Sequence, residues 1–127
     1  MKLFVTGVCG QLGFDVVNEA LKRGYEVIGS DILPESKLVG AEYVQLDITD
    51  AAAVKAVIEG IQPDVIVHCA AWTAVDAAEA LENQEKVHRI NVDGTRNLAV
   101  VAKAVGAKTL VPCTFKNMLQ ILQKCYI

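Results

Sequence analysis

The sequence lacks the features by which several classes of protein are recognised. Its four cysteines, Cys9, Cys69, Cys113 and Cys125, lie far apart along 127 residues, so they do not form the close pairs of a zinc site. We expect no metal site. The cysteines are interpreted as reduced thiols of a cytoplasmic protein, with cysteine chemistry or a disulfide as the alternative.

Strong positive charge and long apolar runs are also missing. The formal net charge of −3 offers no basic surface to nucleic acid. No stretch approaches the roughly 18 uninterrupted apolar residues of a membrane span. No charged segment followed by an apolar run opens the chain, so no signal peptide is expected. We therefore expect a cytoplasmic protein that binds neither nucleic acid nor membrane.

Apolar residues are abundant, at 53%, and their spacing alternates between the period of a strand and that of a helix. The predicted strands are Lys2–Thr6, Tyr25–Gly29, Tyr43–Leu46, Val65–Val67 and one that begins at Thr109–Val111. The predicted helices are Gln11–Lys22, Ala51–Glu59 with Gly60 at its end, and Asn83–Val105. This alternation predicts an α/β fold, a doubly wound (Rossmann-like) parallel sheet of about five strands in the order 3-2-1-4-5, with helices on both faces.

Three glycines stand between the first strand and the first helix. Gly7, Gly10 and Gly13 are spaced G-x-x-G-x-x-G. Glycines allow a tight turn and a close approach of main chain to phosphate, and the free N–H groups of a helix N-terminus favour an anion. In this strand–turn–helix context the pattern predicts a dinucleotide site. The alternatives are a merely tight turn and a nucleotide other than a nicotinamide cofactor.

Asp31 follows the second predicted strand, 18 residues after Gly13. A carboxylate at this place can accept hydrogen bonds from an adenosine ribose. It would also repel a ribose 2′-phosphate, and nothing basic follows at Ile32 or Leu33, so charge alone favours NAD over NADP. The alternative is an ordinary solvated loop acid.

Four segments together resemble one enzyme family. Val5 to Gly13, with Gln11-Leu12-Gly13 inside it, is similar to the opening of the extended short-chain dehydrogenases. Asp47-Ile48-Thr49-Asp50, the stretch His68 to Asp76 (HCAAWTAVD) and the stretch Asn91 to Leu98 resemble the dTDP-4-dehydrorhamnose reductases. The resemblance runs from Met1 to about Lys108 and covers the N-terminal, cofactor-binding part of that family.

The resemblance implies a reductase that passes hydride from NADPH or NADH to the C4 ketone of a nucleotide-linked sugar, with dTDP-L-rhamnose as the product. Thr73, Val75 and Asp76 would face the sugar. Asn91 would be a structural or proton-relay residue. Asp47 and Ile48 would lie at the adenine, and Ala70 and Ala71 would lie at the nicotinamide ribose. The full set of cofactor-binding residues that the resemblance implies is Gly7, Gly10, Gln11, Leu12, Gly13, Asp31, Asp47, Ile48, Ala70 and Ala71.

Several of these residues also have a simpler interpretation. Ala70 and Ala71 could serve tight packing only, and Asn91 could hydrogen-bond a neighbouring backbone group. Trp72, which replaces the family's usual tyrosine, could be a core or interface aromatic. His68 and His88 are interpreted as a strand residue and a surface helix residue rather than catalysts.

The resemblance stops near the fifth predicted strand. Thr114 still matches the family's catalytic threonine, but Cys113 stands in place of its serine, and Phe115 and Lys116 replace an aspartate and a tyrosine. No tyrosine of the chain is followed four positions later by lysine, so the proton-donating Tyr-x-x-x-Lys pair is absent. We therefore expect this short chain to be inactive as a reductase.

Residues 115–127 read as a non-homologous tail after a binding domain at 1–114, and we expect a frameshifted or truncated gene product. Pro112 cannot donate to a sheet ladder, which places the fifth strand at an edge and predicts self-association there.

Besides the reductase, three functions stay open: a non-catalytic dinucleotide-binding module, an interaction protein whose sheet a partner completes, and a sugar-nucleotide epimerase or dehydratase.

Overall fold

The computed structural model describes residues 1–71 and 81–111. Five parallel strands form one sheet in the order β3-β2-β1-β4-β5, which confirms the predicted fold class and strand order. The strands are β1 Lys2–Thr6, β2 Glu26–Asp31, β3 Glu42–Gln45, β4 Val65–His68 and β5 Lys108–Leu110. The helices are α1 Gln11–Lys22, α2 Ala51–Ile61, α3 Leu81–His88, a π-helical turn Arg89–Gly94, and α4 Thr95–Val105.

The central strand β1 is buried on both faces, because its apolar residues run without interruption. Leu3 and Val5 point into a core with Val16, Val17 and Ala20 of α1. Phe4, the residue between them, points to the opposite face, into a second core with α2 and α4. All three strand residues are fully buried. The two cores fix β1 as the element around which the rest of the sheet is arranged.

Helix α2 begins as expected but ends differently. The carboxylate of Asp50 accepts the N–H of Ala53 at 3.1 Å and caps the helix. The predicted end at Gly60 is wrong, since the helix continues to Ile61 and Gln62 takes the left-handed conformation, with φ 52°. Pro63 explains the shift, because a residue that precedes proline is disfavoured in the right-handed helical region.

The helix predicted over Asn83–Val105 is present, but it contains a π-helical turn that the sequence does not indicate. The helical segment starts at Leu81, and α3 passes into the π-helical turn Arg89–Gly94 before α4 begins. A π turn contains one residue more than an α turn and is frequently found at functional sites. Gly106, with φ 76°, ends α4 in the expected left-handed conformation.

Within residues 1–71 and 81–111, the two outermost strands of the sheet are short. At one edge β3 pairs with β2, and at the other β5 pairs with β4 over three residues.

The predictions for Pro112, Cys113, Cys125 and the tail lie outside the described residues. Within the described ranges, no helix is long and apolar enough to cross a membrane. The same ranges bring together no group of three His, Cys, Asp or Glu side chains that could hold a metal ion.

Candidate functional site

A cavity of about 470 Å³ opens at the carboxyl ends of β1, β2 and β4. Strand β1 pairs with β2 on one side and with β4 on the other, so the chain changes direction across the sheet at this point. Ligands of open parallel sheets bind at such a switch point. The volume lies within the range of roughly 300–1,000 Å³ that is usual for small-molecule sites.

The cavity collects the residues that the sequence grouped as cofactor-binding. Its lining includes Gly7, Gly10, Gln11, Leu12, Gly13, Asp31, Asp47, Ile48, Ala70 and Ala71. Their individual roles remain predictions. Thr73, Val75, Asp76 and Thr114, assigned to substrate binding and catalysis, lie outside the described residues, as does Trp72.

Gly7, Gly10 and Gly13 form one side of the cavity, which we call the glycine wall. Gly7 has φ +72°, and a Cβ there would lie 2.6 Å from the nitrogen of Ala70. A Cβ on Gly13 would lie 2.2 Å from the carbonyl oxygen of Gly7. Main-chain atoms therefore approach so closely at both positions that no side chain fits, and the turn, α1 and the end of β4 are locked together.

Gly10 differs from the other two glycines. A Cβ on Gly10 would meet only the carbonyl oxygen of Gly7, at an ordinary 3.4 Å. Packing within the protein thus does not require glycine here. Gly10 is the N-cap of α1 and provides no side-chain cap, so the N–H groups of the first turn face the cavity side of the helix end. The space above Gly10 fits an anionic group such as a pyrophosphate.

Asp31 is the last residue of β2 and is held against the glycine turn. Its carboxylate accepts the N–H of Cys9 at 3.0 Å and the N–H of Ile32 at 2.7 Å. Each carboxylate oxygen can accept a second hydrogen bond, so the side chain is oriented and still able to bind hydroxyl groups. The carboxylate is thus a fixed part of the cavity rim.

Ile48 and Ile90 form the opposite side of the cavity, which we call the aliphatic wall. The amide Nδ2 of Asn97 donates to the carbonyl of Ile48 at 2.9 Å. Gly94, at the end of the π turn, is buried against Ile48: a Cβ on Gly94 would lie 2.6 Å from its Cδ1. Asp47 beside it accepts the N–H and the hydroxyl of Thr49 at 2.9 and 2.7 Å. The two isoleucines offer an apolar surface suited to a base.

Sequence reasoning missed six lining residues: Thr6, Ser30, Ile32, Leu46, Cys69 and Ile90. Five of them directly adjoin a predicted site residue in the sequence and could have been found by extending each predicted site by one residue. Ile90 could not, since it lies in the π turn and adjoins no predicted cofactor residue in the sequence. Ser30 is buried, and its hydroxyl has no hydrogen-bond partner in the described part of the chain.

Three titratable groups near the cavity are shifted toward their neutral forms. Burial raises the pKa of the Cys69 thiol to about 12. The pKa of Tyr43 is raised to about 12, mainly by desolvation and to a smaller extent by the nearby Cys9 and Asp31. The Tyr43 hydroxyl donates to the carbonyl of Leu33. Desolvation and the charge of Asp31 raise the pKa of Cys9. A raised pKa keeps both thiols protonated at neutral pH, so neither Cys9 nor Cys69 is an activated nucleophile.

A buried polar chain lies directly behind the cavity. His68, only 4% exposed at the end of β4, places Nδ1 2.8 Å from the hydroxyl of Thr6 and Nε2 2.9 Å from the hydroxyl of Thr95. The Thr6 hydroxyl accepts the N–H of Ala70 at 3.2 Å, and the Thr95 hydroxyl donates to the carbonyl of Asn91 at 2.8 Å. His68 is thus a strand residue, as predicted. His88 is exposed, with Nδ1 3.7 Å from the carboxylate of Asp93.

The fold and the cavity together define a class. This is a doubly wound α/β protein whose cleft combines a glycine turn, a helix N-terminus, an acidic residue at the end of β2 and an apolar wall. The family model described as the RmlD substrate binding domain matches residues 1–115, and the chain belongs to this family.

Individual relatives agree with that membership. Over 106 residues the chain is 39% identical to a dTDP-4-dehydrorhamnose reductase of Streptomyces griseus, which covers 84% of this chain and 31% of that protein. It is 36% identical to methionine adenosyltransferase 2 subunit beta of Pongo abelii, with 84% and 30% covered. The chain therefore spans about a third of the length of the curated relatives it matches.

A solved structure supports the fold. The dTDP-4-dehydrorhamnose reductase of Bacillus anthracis, determined in complex with NADP, superposes with a TM-score of 0.70 at 37% identity, covering 85% of this chain and 34% of that one. The matched part of that protein is thus built in the same way as β1 to β5 here.

Proposed function

We propose that this chain holds NADPH or NADH in the cavity at the carboxyl ends of β1, β2 and β4. The observation that carries the proposal is the convergence of all ten residues assigned to cofactor binding on one cavity of suitable volume. The relative from Bacillus anthracis, solved with NADP, supports the same class of ligand.

Each part of the cavity suits one part of a dinucleotide. The first turn of α1 above Gly10 would hold the pyrophosphate, and Asp31 would accept the hydroxyls of the adenosine ribose. Asp47 and Ile48 would flank the adenine. Ala70 and Ala71 would lie along the nicotinamide ribose, and Gln11 and Leu12 would lie beside the phosphates. A bound nicotinamide supplies hydride chemistry, and the residues named here orient and shield it.

For the reaction, we propose that the chain represents the cofactor-binding part, residues 1–114, of a reductase of a nucleotide-linked 4-keto sugar such as dTDP-4-dehydrorhamnose, with residues 115–127 as a tail. Thr73, Val75 and Asp76 would face the sugar, and Thr114 would be the catalytic threonine. Since no Tyr-x-x-x-Lys pair is present to protonate the product alkoxide, the chain by itself would bind without turnover. A sugar-nucleotide epimerase or dehydratase remains the alternative enzyme.

The second candidate is a non-catalytic module. It is favoured by the similarity to methionine adenosyltransferase 2 subunit beta, a protein named as a subunit rather than by a reaction of its own. In this role the chain would bind a dinucleotide, or a partner chain along the β5 edge, in the cytoplasm. Self-association along β5 belongs to this candidate and would appear as a dimer in light scattering.

Two measurements test these proposals. Calorimetric titration with NAD⁺, NADH, NADP⁺ and NADPH should show binding of at least one of them, and binding of none would overturn the dinucleotide site. A turnover assay with a dTDP-linked 4-keto sugar should show no product, and measurable reduction would overturn the proposed inactivity.

A matched pair of variants sharpens the titration. Gly10→Ala adds a methyl group where the protein has room but a phosphate would bind, so it should fold normally and lose affinity by about tenfold or more. Gly60→Ala adds the same group on α2, where nothing lies within 4 Å, and should bind like the unaltered chain. Equal affinity of the two variants would contradict the placement of the pyrophosphate.

A further inference from the structure

The buried chain behind the cavity has one consistent arrangement of its hydrogens. The hydroxyl hydrogen of Thr95 is donated to the carbonyl of Asn91, so the Thr95 oxygen can only accept from His68 Nε2. His68 therefore carries its hydrogen on Nε2. Its Nδ1 is then an acceptor and receives the hydroxyl hydrogen of Thr6, whose oxygen accepts the N–H of Ala70.

This arrangement leaves no place for a second proton on the ring. A hydrogen on Nδ1 would face the Thr6 oxygen and displace the hydroxyl hydrogen that now occupies that line. Burial acts in the same direction, because it lowers the pKa of His68. The imidazole is thus neutral and held in a single tautomer by its two neighbours.

The chain of hydrogen bonds joins the two walls of the cavity. At one end, Thr6 and Ala70 line the cavity, and the main chain of Ala70 packs against Gly7 of the glycine wall. At the other end, the Thr95 hydroxyl is bound to Asn91 inside the π turn, next to Ile90 of the aliphatic wall. The hydrogen bond between His68 Nε2 and the Thr95 hydroxyl joins β4 to α4, although the two residues lie 27 positions apart in the sequence.

We propose that His68 is a positioning residue, which as the neutral Nε2–H tautomer fixes the distance between the glycine wall and the aliphatic wall and thereby sets the affinity of the cavity for a dinucleotide. The proposal rests on the proposed function. No relative's name and no motif of the sequence assigns this role. Both Ile90 and the Asn91 carbonyl belong to the π turn, so the aliphatic wall and the end of the polar chain are held by one element.

The test begins with the unaltered chain and no ligand. A long-range ¹H–¹⁵N correlation spectrum distinguishes the two neutral tautomers of an imidazole from each other and from the charged ring. His68 should give the Nε2–H pattern at neutral pH, and its signals are distinguished from those of exposed His88 by their loss in His68→Asn. A mixture of tautomers at His68 would overturn the hydrogen-bond assignment and the proposal with it.

The second part uses three variants. Thr95→Val removes the hydroxyl but keeps the branched shape, and it should weaken dinucleotide binding by roughly threefold to tenfold and disturb the His68 tautomer. Thr95→Ser restores the hydroxyl and should recover both readouts. Thr109→Val makes the same exchange on exposed β5 and should change neither.

The outcomes separate the two proposals. If the unaltered chain binds no nicotinamide dinucleotide, the proposed function fails and the role of His68 in affinity fails with it, whatever the spectrum shows. If the unaltered chain binds and Thr95→Val binds equally well, only the positioning role is overturned. Urea unfolding of each variant confirms that it is folded before affinities are compared.

Discussion

Main chain forms the surface of the glycine wall, whereas side chains form that of the aliphatic wall. Gly7, Gly10 and Gly13 come from seven consecutive residues, while Ile48 and Ile90 are joined only through the fold. An added methyl group at Gly13 would meet a carbonyl oxygen of the backbone, whereas one at Gly94 would meet the end of an isoleucine side chain. The glycine wall is therefore rigid, and the aliphatic wall can adjust by rotating a side chain.

The largest effect is expected at the glycine wall. Gly13→Ala places a Cβ 2.2 Å from the Gly7 oxygen, so the turn must move, and we expect a loss of about 3 kcal/mol in the free energy of unfolding together with loss of dinucleotide binding. Gly60→Ala is the matched control in another helix, where open space should allow a gain of about 0.5–1 kcal/mol. Urea unfolding measures both, and a Gly13→Ala variant as stable as Gly60→Ala would show that the glycine wall is not rigid.

A smaller effect is expected at Asp31, which is attached to the glycine wall through Cys9. Asp31→Asn keeps an oxygen that can accept one of the two backbone N–H groups but removes the negative charge. A 2′-phosphate would then no longer be repelled, and the affinity for NADPH relative to NADH should rise by about tenfold. The ratio of the two dissociation constants, measured by NADH and NADPH fluorescence, checks this. An unchanged ratio would mean that this carboxylate does not face the ribose.

At the aliphatic wall the corresponding substitution should cost less. Gly94→Ala brings a Cβ to 2.6 Å from Cδ1 and 2.7 Å from Cγ1 of Ile48, a side chain that lines the cavity and can turn toward it. We expect a loss of only about 1 kcal/mol in the free energy of unfolding, with weaker binding of the adenine half. Titration with ADP-ribose measures the affinity for the adenine half, and urea unfolding measures the free energy of unfolding. A cost equal to that of Gly13→Ala would erase the distinction between the walls.

The smallest effect is expected from a change of pH, which acts on His68, the residue that connects the two walls. Burial lowers the pKa of His68 below its ordinary value of 6.5, so the unfolded chain binds this proton more readily than the folded chain. The contribution of His68 to stability is thus complete above about pH 6.5 and is lost progressively as the pH falls toward the lowered value. Urea unfolding between about pH 8 and pH 5 should show a steeper decline for the unaltered chain than for His68→Asn. Parallel curves would contradict a neutral buried His68.

The same contrast explains how far sequence reasoning reached. The glycine wall, β1 and α1 were predicted with their observed bounds, because the glycine spacing and the apolar periods act over neighbouring residues. Asp31 was found because it ends a strand at a known distance from the turn. Local rules also located β2 to β5 to within two residues at each end.

Local rules failed where distant residues decide the backbone. The π turn at Arg89–Gly94 accompanies the contacts of Thr95 with His68 and of Asn97 with Ile48, and the apolar period of a helix contains no sign of it. The end of α2 was misplaced because Gly60 was given more weight than Pro63. The polar chain through His68 was missed because each of its members is an ordinary residue in its own element.

The position of β1 in the middle of the sheet has a consequence for how the protein opens. Among the described residues, strand β1 is hydrogen-bonded to a strand on each side, whereas β5 has three residues and pairs with β4 alone. Amide hydrogens of β1 should therefore exchange with deuterium most slowly, and those of β5 should exchange first, through local fraying. Because the glycine wall follows directly from β1, half of the cavity should persist in partially opened forms of the molecule.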